Sequence, residues 1–223
     1  MLNAVFYKEW IKTKWFYIIA GLVLTGFAVY AGIYINRISE LAGAQNLWEY
    51  FLLKGDSLIT TIKYVPLIAG IGGAVAQFVP EMHRKCLKLT LHLPCDNLKT
   101  VGAMILFGVV ILLSYFLLDY FVLYFFFSDI LPLEIRSRIL QTSLPWFLAG
   151  LCGYTFGAWI VLQPKWKKRI PQMLLSVFVI KMFFITDTVG AYTRALWFFV
   201  PMTVLTALLP AVSINDFKEG KQD

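Results

Sequence analysis

Both histidines and two of the three cysteines of this chain fall within thirteen residues, as His83-x-x-Cys86 and His92-x-x-Cys95. Imidazole and thiolate are zinc ligands, and a two-residue spacing can chelate. Five residues separate the two pairs, too few for the chain to reverse easily. On a straight helix, rising 1.5 Å per residue, Cys95 would stand about 18 Å from His83. We therefore read these groups as small and polar residues decorating a helix, and expect no metal. A second candidate is Lys181, near the middle of an apolar run. A charge there costs at least ~2.5–3.5 kcal/mol unless it snorkels or finds a partner. Asp119 and Asp187 are its nearest acidic candidates, both placed towards the outer face. Snorkelling or a structural ion pair is preferred to a role in moving a substrate or proton. The chain has no G-x-x-x-x-G-K-[ST] loop, no H-E-x-x-H, no serine nucleophile elbow and no paired intramembrane histidines for haem. No catalytic constellation follows, so neither enzyme activity nor a cofactor on this chain is expected.

Composition decides what must position these residues. Of 223 residues, 59% are hydrophobic and 15% charged, against about 45–50% and roughly 25% in soluble domains. The chain reads as an integral membrane protein. Its net charge of +7 reflects basic residues gathered in particular loops, and loops so short build no nucleic-acid groove. No cysteine falls in a segment placed outside, so no disulfide framework is expected. The first apolar run is too long for a cleavable signal peptide and is expected to remain in the mature protein.

A hydrocarbon core of ~30 Å needs ~20 apolar residues as helix. Six runs come close to that length, at about 16–36, 62–80, 100–126, 140–162, 171–189 and 195–213. The fifth and sixth are joined tightly through Thr186 to Arg194, and one span with a broken hairpin is an alternative. With the N-terminus inside, thirteen lysines and arginines lie in cytoplasmic segments and six in outer ones, Lys181 being left within a span. That asymmetry places both termini in the cytoplasm. Residues 1–15, with Lys8, Glu9, Trp10, Lys12 and Trp15, read as a helix lying in the cytoplasmic interface, its tryptophans at headgroup depth. Residues 38–64 suggest a short amphipathic helix on the outer surface. Gly70-Ile71-Gly72-Gly73-Ala74 and Gly150-x-x-Gly153-x-x-x-Gly157 permit close helix approach, within the protein or across a dimer. Pro66, Pro145, Pro171, Pro201 and Pro210 sit at or within spans and suggest kinks or breaks. The fold class expected is all-α: a polytopic integral membrane protein of six transmembrane helices with an N-terminal interfacial elbow helix, forming one domain over residues 1–223.

Between the second and third runs lies a basic amphipathic insert, residues 81–99. Met82, Cys86, Leu89 and Leu93 recur at helical spacing, while Arg84, Lys85, Lys88 and His92 fall mainly elsewhere on the wheel. Pro94 ends the pattern. Such a helix suits either the lipid surface or the groove of a partner.

Here the sequence resembles the integral permeases of ABC-type exporters, in the class with six spans per subunit. That family opens on an elbow helix carrying a lysine–glutamate pair, matched by Lys8-Glu9. After span two it shows a stretch of the form E-R-E-x-G-T-L-E-x-L-L-x-L-P. Glu81, Leu87, Leu89, Leu91, Leu93 and Pro94 fill the acid, leucine and proline positions, and Asp96 and Lys99 follow in place. The sequence departs at His83, Lys85 and Cys86, where the family often has acid, glycine and threonine. The resemblance implies that the insert is a coupling helix resting in a cleft of a separate cytoplasmic ATPase, with Glu81, Arg84, Lys85, Leu87, Lys88 and Leu91 at the contact. It implies Mg-ATP on a partner ATPase dimer and a second permease copy or a sister permease. The expected function is ATP-driven transport, export foremost, across the inner (cytoplasmic) membrane. One alternative is a non-transporting anchor or mechanotransmission subunit held to the same ATPase. Another is a small secondary carrier using Lys181 and Asp119.

Overall fold

No proline occurs before Pro66, and nothing else in the opening segment forces a helix to stop. The computed structural model accordingly begins with one uninterrupted helix, α1 (Leu2–Glu49). It describes residues 2–49, 60–83, 97–128, 132–186, 188 and 190–218. A 3-10 turn (Thr60–Ile62) leads into α2 (Val65–His83), then α3 (Asn97–Ser128), α4 (Leu133–Leu162), α5 (Trp166–Met182), α6 (Leu196–Thr206) and α7 (Leu209–Lys218). No strand occurs among the described residues. An all-helical chain satisfies its backbone groups within each segment, as a bilayer requires.

Five stretches are long and apolar enough to cross: Asn3–Ile38, Val65–His83, Lys99–Ser128, Arg136–Leu162 and Leu196–Ile214. Their outward faces are apolar, with Trp15, Leu22, Ile68, Phe125 and Trp197 among many large exposed side chains. A water-soluble monomer rarely shows so much contiguous apolar surface. The molecule is built to be embedded in a membrane.

Three expectations change. The elbow and the first span are one helix, because a single buried stripe runs through both: Glu9, Thr13, Tyr17, Leu24, Ala28, Ala31 and Ile35, at steps of three, four or seven. Residues 38–49 continue that helix instead of forming a separate outer one, and 50–59 lie outside the described residues. The fifth run becomes α5, which ends at Met182 and has 17 residues. At 1.5 Å per residue it spans roughly 25 Å, short of a full hydrocarbon core. The sixth run keeps its expected extent as the candidate span Leu196–Ile214, with a turn at 207–208 just before Pro210, whose missing N–H and ring disfavour unbroken helix.

Helix α4 is the hub. Of its most apolar window 61% is buried, against 33–44% for the other four candidate spans. It packs on α2, α3, α5, α6 and α7, while α1 lies mainly along α3. The two glycine motifs face one another across the α2–α4 seam. A Cβ on Gly70 would strike the carbonyl of Gly150, one on Gly150 would meet the Pro66 carbonyl at 2.7 Å, and one on Gly157 the Ala74 side chain at 2.7 Å. Small residues thus bring two backbones together inside the subunit.

Candidate functional site

The stripe on α1 begins with a carboxylate. Glu9 is 0% and Glu81, in the last turn of α2, 2% exposed. Two buried carboxylates close together would repel and lose hydration, so such burial requires cations. Lys12, one turn on from Glu9, supplies the first: its Nζ lies 2.7 Å from Glu9 Oε2 and 2.9 Å from Glu81 Oε1. Lys8 supplies the second, its Nζ 3.0 Å from Glu81 Oε1. Two lysines against two carboxylates make a neutral cluster. It fastens the N-terminal segment of α1 to the foot of α2, where the chain leaves for residues 84–96.

Above this clamp, polar groups continue inward. Tyr154 of α4 donates its hydroxyl to Gln77 Oε1 at 2.6 Å, and Gln77 Nε2 donates to the Met104 carbonyl of α3 at 2.8 Å. This pins α2, α3 and α4 together one turn above Glu81. The Tyr17 ring packs edge-on against Phe107, and Phe6 against Phe107 likewise, carrying α1 onto α3 at the same end. Gln163 and Ser213 bond at 2.8 Å and bring α7 to that end too. The basic flanks near Lys8, His83, Lys99, Lys167 and Arg169 are therefore gathered at one end of the bundle.

Of the elbow residues, Glu9 faces the protein, while Trp10 is 41% and Trp15 70% exposed on the outer side. Arg84, Lys85, Leu87, Lys88 and Leu91 lie outside the described residues, as do Cys86, His92 and Cys95. Among the described residues no group of three histidine, cysteine, aspartate or glutamate side chains could hold a metal. Lys181 is exposed in the final turn of α5. Asp119 is buried in α3, and neither of its carboxylate oxygens has a hydrogen-bond partner. The structure does not join the two.

The Lys12–Glu81 pairing, across 69 residues, is what the sequence reading missed. Its one local signal was an acid at Glu9 in phase with Thr13 and Tyr17 on an otherwise small and apolar stripe. Chemically the cluster holds no nucleophile beside a base. What it can do is hold the last turn of α2 to the N-terminal part of α1. No protein-family model, curated protein or solved structure matches the chain.

Proposed function

We propose that this chain is the permease subunit of an ATP-driven transporter, an exporter foremost, whose ATPase is a separate cytoplasmic dimer carrying Mg-ATP. One observation carries the reading. Lys8-Glu9 and Glu81, the two ends of the resemblance, are far apart in sequence and meet in a single ion-pair cluster. A push delivered to residues 84–96 then moves α2 and the foot of α1 as one body. The basic end faces the cytoplasm of the inner membrane, by the excess of lysine and arginine there. In this reading the chain makes six passes, with α5 as a short fifth, and residues 1–15 brace the contact as an elbow would.

A single subunit whose α2 and α4 touch backbone to backbone leaves no polar pathway along that seam. Transport then uses a surface shared with a second permease copy or a sister chain. The same tight seam favours, as the second reading, mechanotransmission without cargo. Substrate-stimulated ATP hydrolysis with cargo accumulation, measured on the reconstituted complex, separates the two.

The contact itself is tested by charge reversal. Lys85→Glu with Lys88→Glu is expected to reduce ATPase co-purification from membranes at low salt by at least about tenfold, while membrane insertion is unchanged. Undiminished co-purification would remove the insert from the interface.

A further inference from the structure

At the basic end, α2 and α5 both pack on α4 and leave an open cleft between them. Its volume is about 410 Å³, within the ~300–1,000 Å³ of ordinary ligand pockets. Val79 and Met82 of α2, Ile160 of α4 and Met173 of α5 make an apolar trough, and Arg169 and His83 stand in its wall. Arg169 is held in place: its Nε donates to the Gln163 carbonyl at 2.7 Å, and its guanidinium lies 5.4 Å from the Trp166 ring. The fixed fork leaves the terminal Nη groups for an oxyanion, a geometry that suits phosphate. Lys167 is exposed two residues before Arg169 on α5, and Trp166 and Ile170 of the same helix present large apolar surface, 64% and 54% exposed. The cleft lies where α2 ends and α5 begins, at the basic end of the bundle.

We propose that this cleft is a binding site for one anionic phospholipid, its acyl chain in the trough and its phosphate on Arg169. The charge of the rim, the apolar floor and the outward opening select an occupant that is both greasy and negative. Basic pockets between membrane helices hold acidic headgroups for this reason. The bound lipid bridges α2, α4 and α5. The site does not depend on the permease reading, since it is defined by the described helices alone.

The test is native mass spectrometry of the detergent-purified chain, titrated with phosphatidylglycerol or with phosphatidylcholine of the same acyl chains. Phosphatidylglycerol is expected to be retained at least about tenfold better. Arg169→Gln with Lys167→Gln should lower that retention by roughly thirtyfold, taking about a factor of five for each cation near an anionic headgroup. Met173→Trp, which fills the trough, should reduce retention of both lipids. Glycerol 3-phosphate should not compete, because it lacks the chain; competition at equal concentration would mean a phosphate site and overturn the lipid assignment. Equal retention of the two lipids, or retention unchanged in the charge variant, would overturn it as well. If the charge variant fails to fold, raising the salt on the wild-type chain reads the same interaction. Retention of phosphatidylglycerol that is insensitive to salt would then contradict the proposal.

Discussion

Lys12 and Lys8 look interchangeable in the sequence, one helical turn apart on a basic segment, yet their surroundings differ. Lys12 bridges both buried carboxylates and is 19% exposed, whereas Lys8 touches Glu81 alone and is 44% exposed. Removing Lys12 leaves Glu9 buried without its ion-pair partner and Glu81 with the half-exposed Lys8. Lys12→Met is therefore expected to cost on the order of 3 kcal/mol, as in breaking a buried pair. Lys8→Met should cost under ~1 kcal/mol, as for exposed pairs. Thermal unfolding of both variants in nanodiscs checks the order, and an equal loss would mean that the cluster is not built as described. The residues of this cluster were visible one by one: Lys8-Glu9 and Glu81 both stood out by type. Their meeting was not, because a pair 69 residues apart depends on how α1 and α2 pack. Asp119 shows the opposite error. Its position suggested a partner for Lys181, but α3 turns Asp119 inward while Lys181 is left on an outer surface.

Among the helices, the glycine motifs were recognisable as places of close approach, though whether inside one subunit or across two was open. The structure uses both motifs against each other, α2 on α4. Gly70→Val is expected to destabilise the protein by more than ~3 kcal/mol, because the new side chain meets backbone that cannot rotate away. Gly26→Ala, on the open face of α1 with nothing within 4 Å of its Cβ position, should be neutral or stabilising by up to ~1 kcal/mol. Matched melting curves of the two variants decide this, and a tolerated Gly70→Val would dissolve the seam. Helix identity was readable from hydropathy for α2, α3 and α4, to within three residues at the ends of α2 and α3, while α4 begins seven residues earlier than expected, at Leu133. Continuity was harder. The charges before Phe16 suggested a separate interfacial helix, whereas the stripe from Glu9 to Ile35 and the lack of proline keep α1 whole. At α5 the apolar pattern runs on past Met182, but the helix ends there in a turn at Phe183 and Phe184; eight residues on, Gly190 stands at φ 78°. Glycine alone takes such a left-handed conformation without strain.

Three features of the molecule meet at one place. The basic flanks of α1, α2, α3 and α5 converge on one end, an ion-pair cluster locks α1 to α2 there, and α2 ends beside it at His83. Composition and charge asymmetry were enough to announce a membrane protein with a basic face. They were not enough to show that this face is mechanically continuous with the α2–α4 seam through Gln77 and Tyr154. A binding partner at the basic end would move that hub directly. The claim is tested most directly by placing a photo-crosslinking amino acid at position 87 in cells, irradiating, and sequencing the adduct. The expected result is an adduct to a nucleotide-binding ATPase subunit, lost with Lys85→Glu and Lys88→Glu. An adduct to lipid alone, or labelling of position 87 only by reagents confined to the external side, would contradict it.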